Sequence, residues 1–309
     1  MLYVLLVVRI ILQRRGKSWL ARSLRLMAVS SMASMALLLA SCSFLETTYN
    51  QAPLLLQWWL DGQLDLSSAQ KQSIKPELMA LQAWHRQNQL PMIARSFQGL
   101  SELATQDLSP AQACSFEESI LQSLPALAQQ ASGHLARLAL SLKPEQLAHM
   151  RREQTQSDKK WRKEWLDGTA AQRLERRLDK ALDHLQDYYG LLDTEQRRAL
   201  QRHLQTSPYD PELAWQERQR RHSDVLNTLQ RISTEQPDVA TAQLWLTQMY
   251  LRMLKPPVAQ LREHQDKNLR FLCEGVSHMH DLMSPEQRQR ARLKLQDMHQ
   301  AWLRLLKDS

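Results

Sequence analysis

The sequence predicts an all-α protein, a multi-helix array or bundle of about ten to twelve helices with no sheet. Three observations predict it. Leu, Ala, Gln, Arg and Glu dominate while Val, Ile, Tyr and Phe are sparse, a balance that favours helix over strand. Apolar residues recur at helical spacing, as where Leu174, Leu178, Ala181, Leu182 and Leu185 line one face with charges opposite. Prolines and capping residues punctuate this pattern throughout, and no segment sustains the alternation expected of a strand.

The elements follow in order. A helix near 52–61 carries Trp58 and Trp59 and stops at Asp61 and Gly62. The next, near 67–88, starts at Ser67 with Gln70 three positions on, and ends on Trp84, His85 and Arg86, cations that suit a helix C-terminus. Helices near 91–106, 110–122 and 124–141 follow, the second opening on Pro110, a tolerated first helical residue. Pro144 opens one near 144–167, and the face of Leu174 to Leu185 defines one near 170–190. Asp193 caps one near 194–205; further helices run near 211–232, 237–254 and 257–281, and Pro285 opens the last, near 285–307.

The amino terminus reads as a targeting segment. Basic residues in "RRGKSWLARSLR" (14–25) precede the apolar run "LMAVSSMASMALLLAS" (26–41), the order of a secretory signal. Leu39-Ala40-Ser41-Cys42 resembles the bacterial lipobox, which implies cleavage before Cys42 and its acylation, an anchor into membrane lipid. Residues 1–41 are then a removed signal peptide, 42–50 a lipidated amino terminus and short tether, and 51–309 an all-α domain. Ser43, a residue other than Asp, implies the outer membrane, facing the periplasm. The run "LYVLLVVRIIL" (2–12) is too short to span a bilayer. Beyond Cys42, "PLLLQWWLD" is broken by Gln57 and Asp61, so Leu54, Leu55, Trp58 and Trp59 are expected to pack into the helical body as an amphipathic helix.

Charge and composition exclude several functions. The net charge of +8 is mostly the work of the first 42 residues; the remainder carries 34 Lys plus Arg against 32 Asp plus Glu, which is not a nucleic-acid footprint. Seven dispersed glycines leave no phosphate-cradling loop, so no nucleotide is expected.

One local pattern recurs: "LSSAQ" (66–70), "LSPAQ" (108–112), "LKPEQ" (142–146), "LDTEQ" (192–196), "ISTEQ" (232–236) and "MSPEQ" (283–287). Each reads as a capping box, in which the first polar side chain accepts from the Gln backbone N–H while Gln reaches back. Lys143 has no acceptor and Pro237 follows the fifth copy, so these two are degenerate. The copies begin 34 to 51 residues apart, too irregular for a solenoid. The pattern resembles the L-T-x-x-Q signature of small periplasmic helical stress proteins, the spheroplast chaperone and the Cpx periplasmic regulator among them, which implies a chaperone-like role. "TTYNQAPLLLQWWLDGQLDLSSAQ" (47–70), "LQAWHRQNQLP" (81–91) and "LKPEQLAHMRREQTQSDKKWRKEWLD" (142–167) together resemble an uncharacterised family of proteobacterial lipoproteins, over most of the mature chain. That resemblance supports lipoprotein status and implies no mechanism.

Side chains able to carry chemistry are few. Asp61 and Asp65, beside Trp58 and Trp59, form a possible carboxylate pair of the kind glycosidases use; the simpler reading is a helix end and the turn after it. With Trp84, His85 and Arg86 they make the candidate functional cluster, and no catalytic residue is assigned. His278 and His280, with His264, Cys273, Met279 and Met283 nearby, hint at a soft metal, but two positions apart on a helix they diverge, and no metal or other cofactor is expected. Cys114 and Cys273 are either a disulfide or two separate buried thiols. The charged stretch 151–180, with Trp161 and Trp165, is either a solvated hairpin anchored by its tryptophans or a basic face for an acidic partner, and interspersed acids favour the first. The expected function is non-enzymatic: an outer-membrane-anchored periplasmic lipoprotein that contacts as yet unknown periplasmic proteins as a chaperone-like or scaffolding factor. The alternatives are an envelope hydrolase using Asp61, Asp65 and His85, and a metal-responsive sensor using Cys273 to His280.

Overall fold

The computed structural model describes residues 45–307; the expected signal segment, Cys42 and Ser43 lie outside the described residues. Among the described residues every regular element is helical. A leading helical segment, 45–50, runs almost directly into α1 (Ala52–Leu64). The expected tether is therefore already part of the fold by residue 45, and Tyr49 is buried.

The chain continues through α2 (Ser68–Asn88), α3 (Leu90–Leu103), α4 (Pro110–Leu140) and α5 (Pro144–Trp161), which passes into a π-helical turn over Arg162–Leu166. Then come α6 (Ala170–Tyr189), α7 (Thr194–Gln205), α8 (Pro211–Glu235), α9 (Val239–Leu254), α10 (Ala259–Asp281) and α11 (Pro285–Lys307). None of the helices is long and apolar enough to cross a membrane, among the described residues.

The starts obey local chemistry. Ser67, Ser109, Thr169 and Asp193 each accept from the backbone N–H of a glutamine three residues on, and that glutamine returns its Oε1 to the cap's own N–H. Thr169 with Gln172 is a box outside the six-copy pattern, since glycine precedes it. At Ser284 the same two bonds measure 2.9 and 3.2 Å.

Two expected boundaries were wrong. The helices expected at 110–122 and 124–141 are one, because α4 runs through Pro125. A proline inside a helix removes one hydrogen bond and costs about 3 kcal/mol, yet α4 packs against α2, α9 and α10 along its length, and that burial outweighs a local penalty. The copy at 232–236 starts nothing: it forms the last turn of α8, and Gln236 is its left-handed cap (φ 45°), with Asp238 capping α9 instead.

Three buried clusters hold the molecule. The largest joins α2, α4, α5, α8 and α9 around Ile74, Leu78, Ala136, Ile232 and Leu246. A second sits between α3 and α11, where Tyr49, Leu90, Phe97, Trp302 and Leu305 meet. The third closes α6, α7 and the end of α10 around Leu192, Leu200, Met279 and Met283. The long helix α4 reaches the first two, contributing Ala136 to one and Ile120 to the other.

Candidate functional site

The candidate residues of the amino-terminal region do not converge on one site. The last turn of α1 turns into α2 through Asp65, whose φ of 49° is left-handed and whose backbone N–H donates to Asp61 O at 2.7 Å. Asp61 Oδ1 accepts the Leu66 N–H at 3.0 Å, and its other oxygen pairs with Lys71 at 2.9 Å. Asp61 is thus committed to building the turn, and Asp65 to capping α1.

His85 lies at the other end of α2, in its last turn, beside the leading helical segment. Its Nδ1 and the Tyr49 hydroxyl are 2.9 Å apart, while Gln82 donates its side-chain amide to the Tyr49 carbonyl. Arg86 donates to Asn50 Oδ1 at 2.7 Å and lies over the Tyr49 ring, 5.5 Å from its centre. Burial pushes His85 down to about 4 and Tyr49 up to about 12, the nearby Arg86 opposing the latter. The histidine is therefore neutral at pH 7 and serves to pin the leading helical segment onto α2. Trp84 is half-buried. The sequence offered no hint of Tyr49 as the partner, because the two residues are 36 positions apart.

The tryptophans of α1 divide. Trp58 is 62% exposed and Leu54 40%, against the expectation that both pack inward, and Trp59 is only partly covered. Leu64 is the buried residue of α1, and Leu56 and Leu60 lean on the main core. Alternate faces of a short apolar helix look alike in sequence, so the covered face was not legible.

Of the α10 histidines, His264 and His280 are hydrogen-bonded, while His278 is exposed with its ring 6.3 Å from that of His203. His280 is buried; its Nε2 donates to the Gln106 carbonyl at 2.8 Å, so Nδ1 is the acceptor for the Tyr189 hydroxyl at 2.8 Å. Burial lowers the pKa of this ring. His264 Nε2 accepts the Asp210 N–H at 2.9 Å. Met279 and Met283 are core residues. Cys273 is bonded to Cys114, the Cα atoms 5.2 Å apart, which ties α10 to α4 across a separation of 159 residues. No group of three or more His, Cys, Asp or Glu is gathered as a metal site among the described residues. Cys273, Met279, Met283, His264 and His280 thus belong to a disulfide, a core and hydrogen-bond pairs, and His278 stands on the surface.

In the charged stretch 151–180, Trp161 stacks on Trp215 at 5.5 Å, Arg162 and Arg218 cover the two outer faces, and Arg218 pairs with Asp158 at 2.6 Å. Trp165 meets Tyr209, with Lys180 over its ring. The geometry is that of a hairpin held by its tryptophans, with Arg162, Arg177 and Lys180 paired or stacked and Lys159, Lys160 and Lys163 exposed.

The recurring glutamines converge instead. Gln70 and Gln146 exchange side-chain amide bonds in both directions, at 3.1 and 2.9 Å. Each also donates to the carbonyl two residues before the other's cap, Gln70 to Ser141 at 3.0 Å and Gln146 to Asp65 at 3.2 Å. Gln196 and Gln287 repeat the arrangement: amide bonds of 2.7 and 3.1 Å, and donations to Leu282 and Leu191, both at 3.0 Å. Four of the six motif copies therefore pair into two clasps, joining the start of α2 to that of α5 and the start of α7 to that of α11. A capping box uses only the amide oxygen. The two N–H groups left over needed acceptors, and in a glutamine next to a core residue that is a signal sequence reading could have followed. Gln112 forms its box, and Gln236 donates to Leu140 O at 3.0 Å; neither joins a clasp.

No curated protein and no solved structure matches the chain. A family model does, over residues 62–245, more than half of the chain and a span that includes the whole first clasp. By that match the chain belongs to DUF6279, a family of unknown function.

Proposed function

We propose that this protein is a lipid-anchored lipoprotein of the outer membrane, facing the periplasm, and that it acts by contact with other envelope proteins as a scaffold or chaperone-like factor rather than by catalysis. The observation that carries the contact reading is the exposed apolar residues on α9 and on α10, each of which packs on α4. Leu244 and Leu251, two turns apart, are exposed on the first, and Leu272 and Val276, one turn apart, on the second. The Cys114–Cys273 bond supports an oxidising envelope compartment, and Leu39-Ala40-Ser41-Cys42 supports the anchor. The motif glutamines no longer argue for a chaperone, because holding helix starts together explains them.

Photo-crosslinkers placed at Leu244 and Leu272 in intact cells, followed by identification of captured proteins, test this reading. A few defined partners indicate a scaffold, and many unfolded clients a chaperone. Loss of cellular function in Asp61→Ala or His85→Ala variants that remain folded and keep their captured partners would sink it in favour of the hydrolase. Metal that co-purifies and raises the melting temperature would sink it in favour of the sensor.

A further inference from the structure

We infer that the exposed face of the leading segment and α1 lies flat in the lipid headgroup region, so that the protein is held to its membrane by a helix face as well as by its acyl chains. The inference rests on the anchor proposed at Cys42. Leu45, the first described residue, follows Cys42 by three positions, so an acylated Cys42 holds the start of this helix within about 11 Å of the bilayer.

What the helix offers there is unusual for a chain in which 23% of residues are charged. Between Glu46 and Asp61 there is no Asp, Glu, Lys, Arg or His. Thr47, Gln51, Leu54, Trp58 and Gly62, spaced three or four apart, form one exposed stripe. The two acids at its ends are neutralised, Glu46 by Arg304 at 2.7 Å and Asp61 by Lys71 at 2.9 Å. Beside the stripe a groove of about 170 Å³ runs between α1 and α2, lined by Pro53, Leu54, Lys75 and Met79 among others, and Met79 is itself more than half exposed. A tryptophan flanked by aliphatic side chains, its nearest acid Asp61 paired with Lys71, the exposed Asp65 two turns away at the end of the helix and a lysine at its edge, suits the interface between acyl chains and anionic headgroups. Trp58 lies about 20 Å along the helix from Leu45, so only a helix lying in the membrane plane brings it to that interface.

The test uses the full-length lipoprotein, purified from membranes and reconstituted in vesicles whose phospholipids carry brominated acyl chains, which quench tryptophans near them. Quenching of the intrinsic fluorescence should fall by about half or more in Trp58→Phe, as expected of an interfacial ring, and should be unchanged in Trp215→Phe, whose ring is stacked against Trp161. Leu54→Glu, which places an acid on the stripe, should weaken quenching of Trp58 without altering the circular dichroism. The mass of the amino-terminal peptide is read on the same samples. A peptide without acyl mass at Cys42 overturns the anchor and this orientation together. An acylated protein quenched equally in the wild type, Trp58→Phe and Trp215→Phe overturns the orientation alone. Trp58 emission that follows protein concentration and not bromolipid assigns the face to a second copy of the chain, and overturns it as well.

Discussion

At the first clasp Gln70 and Gln146 are both buried, and they join the starts of α2 and α5 against the largest core. At the second, Gln196 is buried while Gln287 is partly open to water, and the core beside it is the small cluster around Leu192 and Met283. The caps differ in the opposite sense. Both caps of the second clasp, Asp193 and Ser284, complete their boxes, whereas Lys143 of the first has no acceptor to offer and leaves Gln146 to return only its own half. The buried clasp thus tolerates a defective cap, and the exposed one keeps perfect caps. Depth and capping contribute separately: burial raises the cost of losing an amide, and the box sets where each helix begins.

The largest expected effect comes from removing what ties the two regions together. Cys114 lies on α4, which feeds the first core, and Cys273 on α10, which feeds the third. Closing a loop of 159 residues restrains the unfolded chain by about 5 kcal/mol in the chain-entropy account. Cys114→Ser with Cys273→Ser should lower stability by several kcal/mol, read by denaturant unfolding, and should separate one transition into two. A single unshifted transition would show that the two clasps are coupled without the disulfide.

Acid should weaken the amino-terminal side through His85. His85 has its folded pKa pushed down to about 4 by burial, below the 6.5 of a free imidazole. A depressed histidine contributes stability that is complete above pH 6.5 and is lost as pH falls toward 4, because the unfolded chain takes up the proton first. The loss over that window is about 3 kcal/mol. Stability of His85→Gln should therefore change less between pH 7 and pH 4.5 than that of the wild type. Equal pH slopes would refute the assignment. On the other side, His280 is lowered in the same direction and for the same first cause, as are His203, His222 and His264, so His280→Gln should reduce the slope further.

The clasps themselves come next. Gln146→Ala leaves the Lys143 N–H and the Leu64 and Asp65 carbonyls without their buried partner, and strands one side of Gln70. Stranded buried groups cost about 1–3 kcal/mol each when no water reaches them, so a total loss of about 2–4 kcal/mol is expected. Gln287→Ala, where water can replace the amide, should cost about half as much. Thermal unfolding of the two variants side by side reads the difference, and a larger loss at Gln287 would reverse the ranking by depth.

Much of this was legible beforehand. Helix starts at Ser67, Ser109, Asp193 and Ser284 are written locally, since a cap and its glutamine sit three residues apart in one strand of text. Features needing a second stretch of chain were not. Pro125 signals a break from inside its own helix, and only packing by α2, α9 and α10 cancels the signal. The pairing of Cys114 with Cys273 stayed open because nothing local measures their 5.2 Å approach. The partners of the candidate cluster were hidden for the same reason. Asp61 and His85 look reactive until Lys71 and Tyr49 arrive from elsewhere to occupy them.

The smallest effect tests the defective cap directly. Lys143 already has the extended backbone of a cap (φ −101°, ψ 157°), close to that of Ser67, and its side chain is exposed, so Lys143→Ser changes little besides the missing acceptor. Serine would add a side-chain bond to the Gln146 N–H and remove a cation from a helix amino terminus, where it opposes the dipole. The gain is limited because the Gln146 N–H is not idle: it already donates to the Lys143 carbonyl at 3.0 Å in a tight first turn. A stabilisation of about 0.5–1 kcal/mol is therefore expected, at the low end of what a new cap contributes. If clasp and cap are independent, the same gain should appear in the Gln146→Ala background through the serine acceptor alone. A gain seen only when Gln146 is present would show that the clasp orders the first turn of α5 before the cap can act.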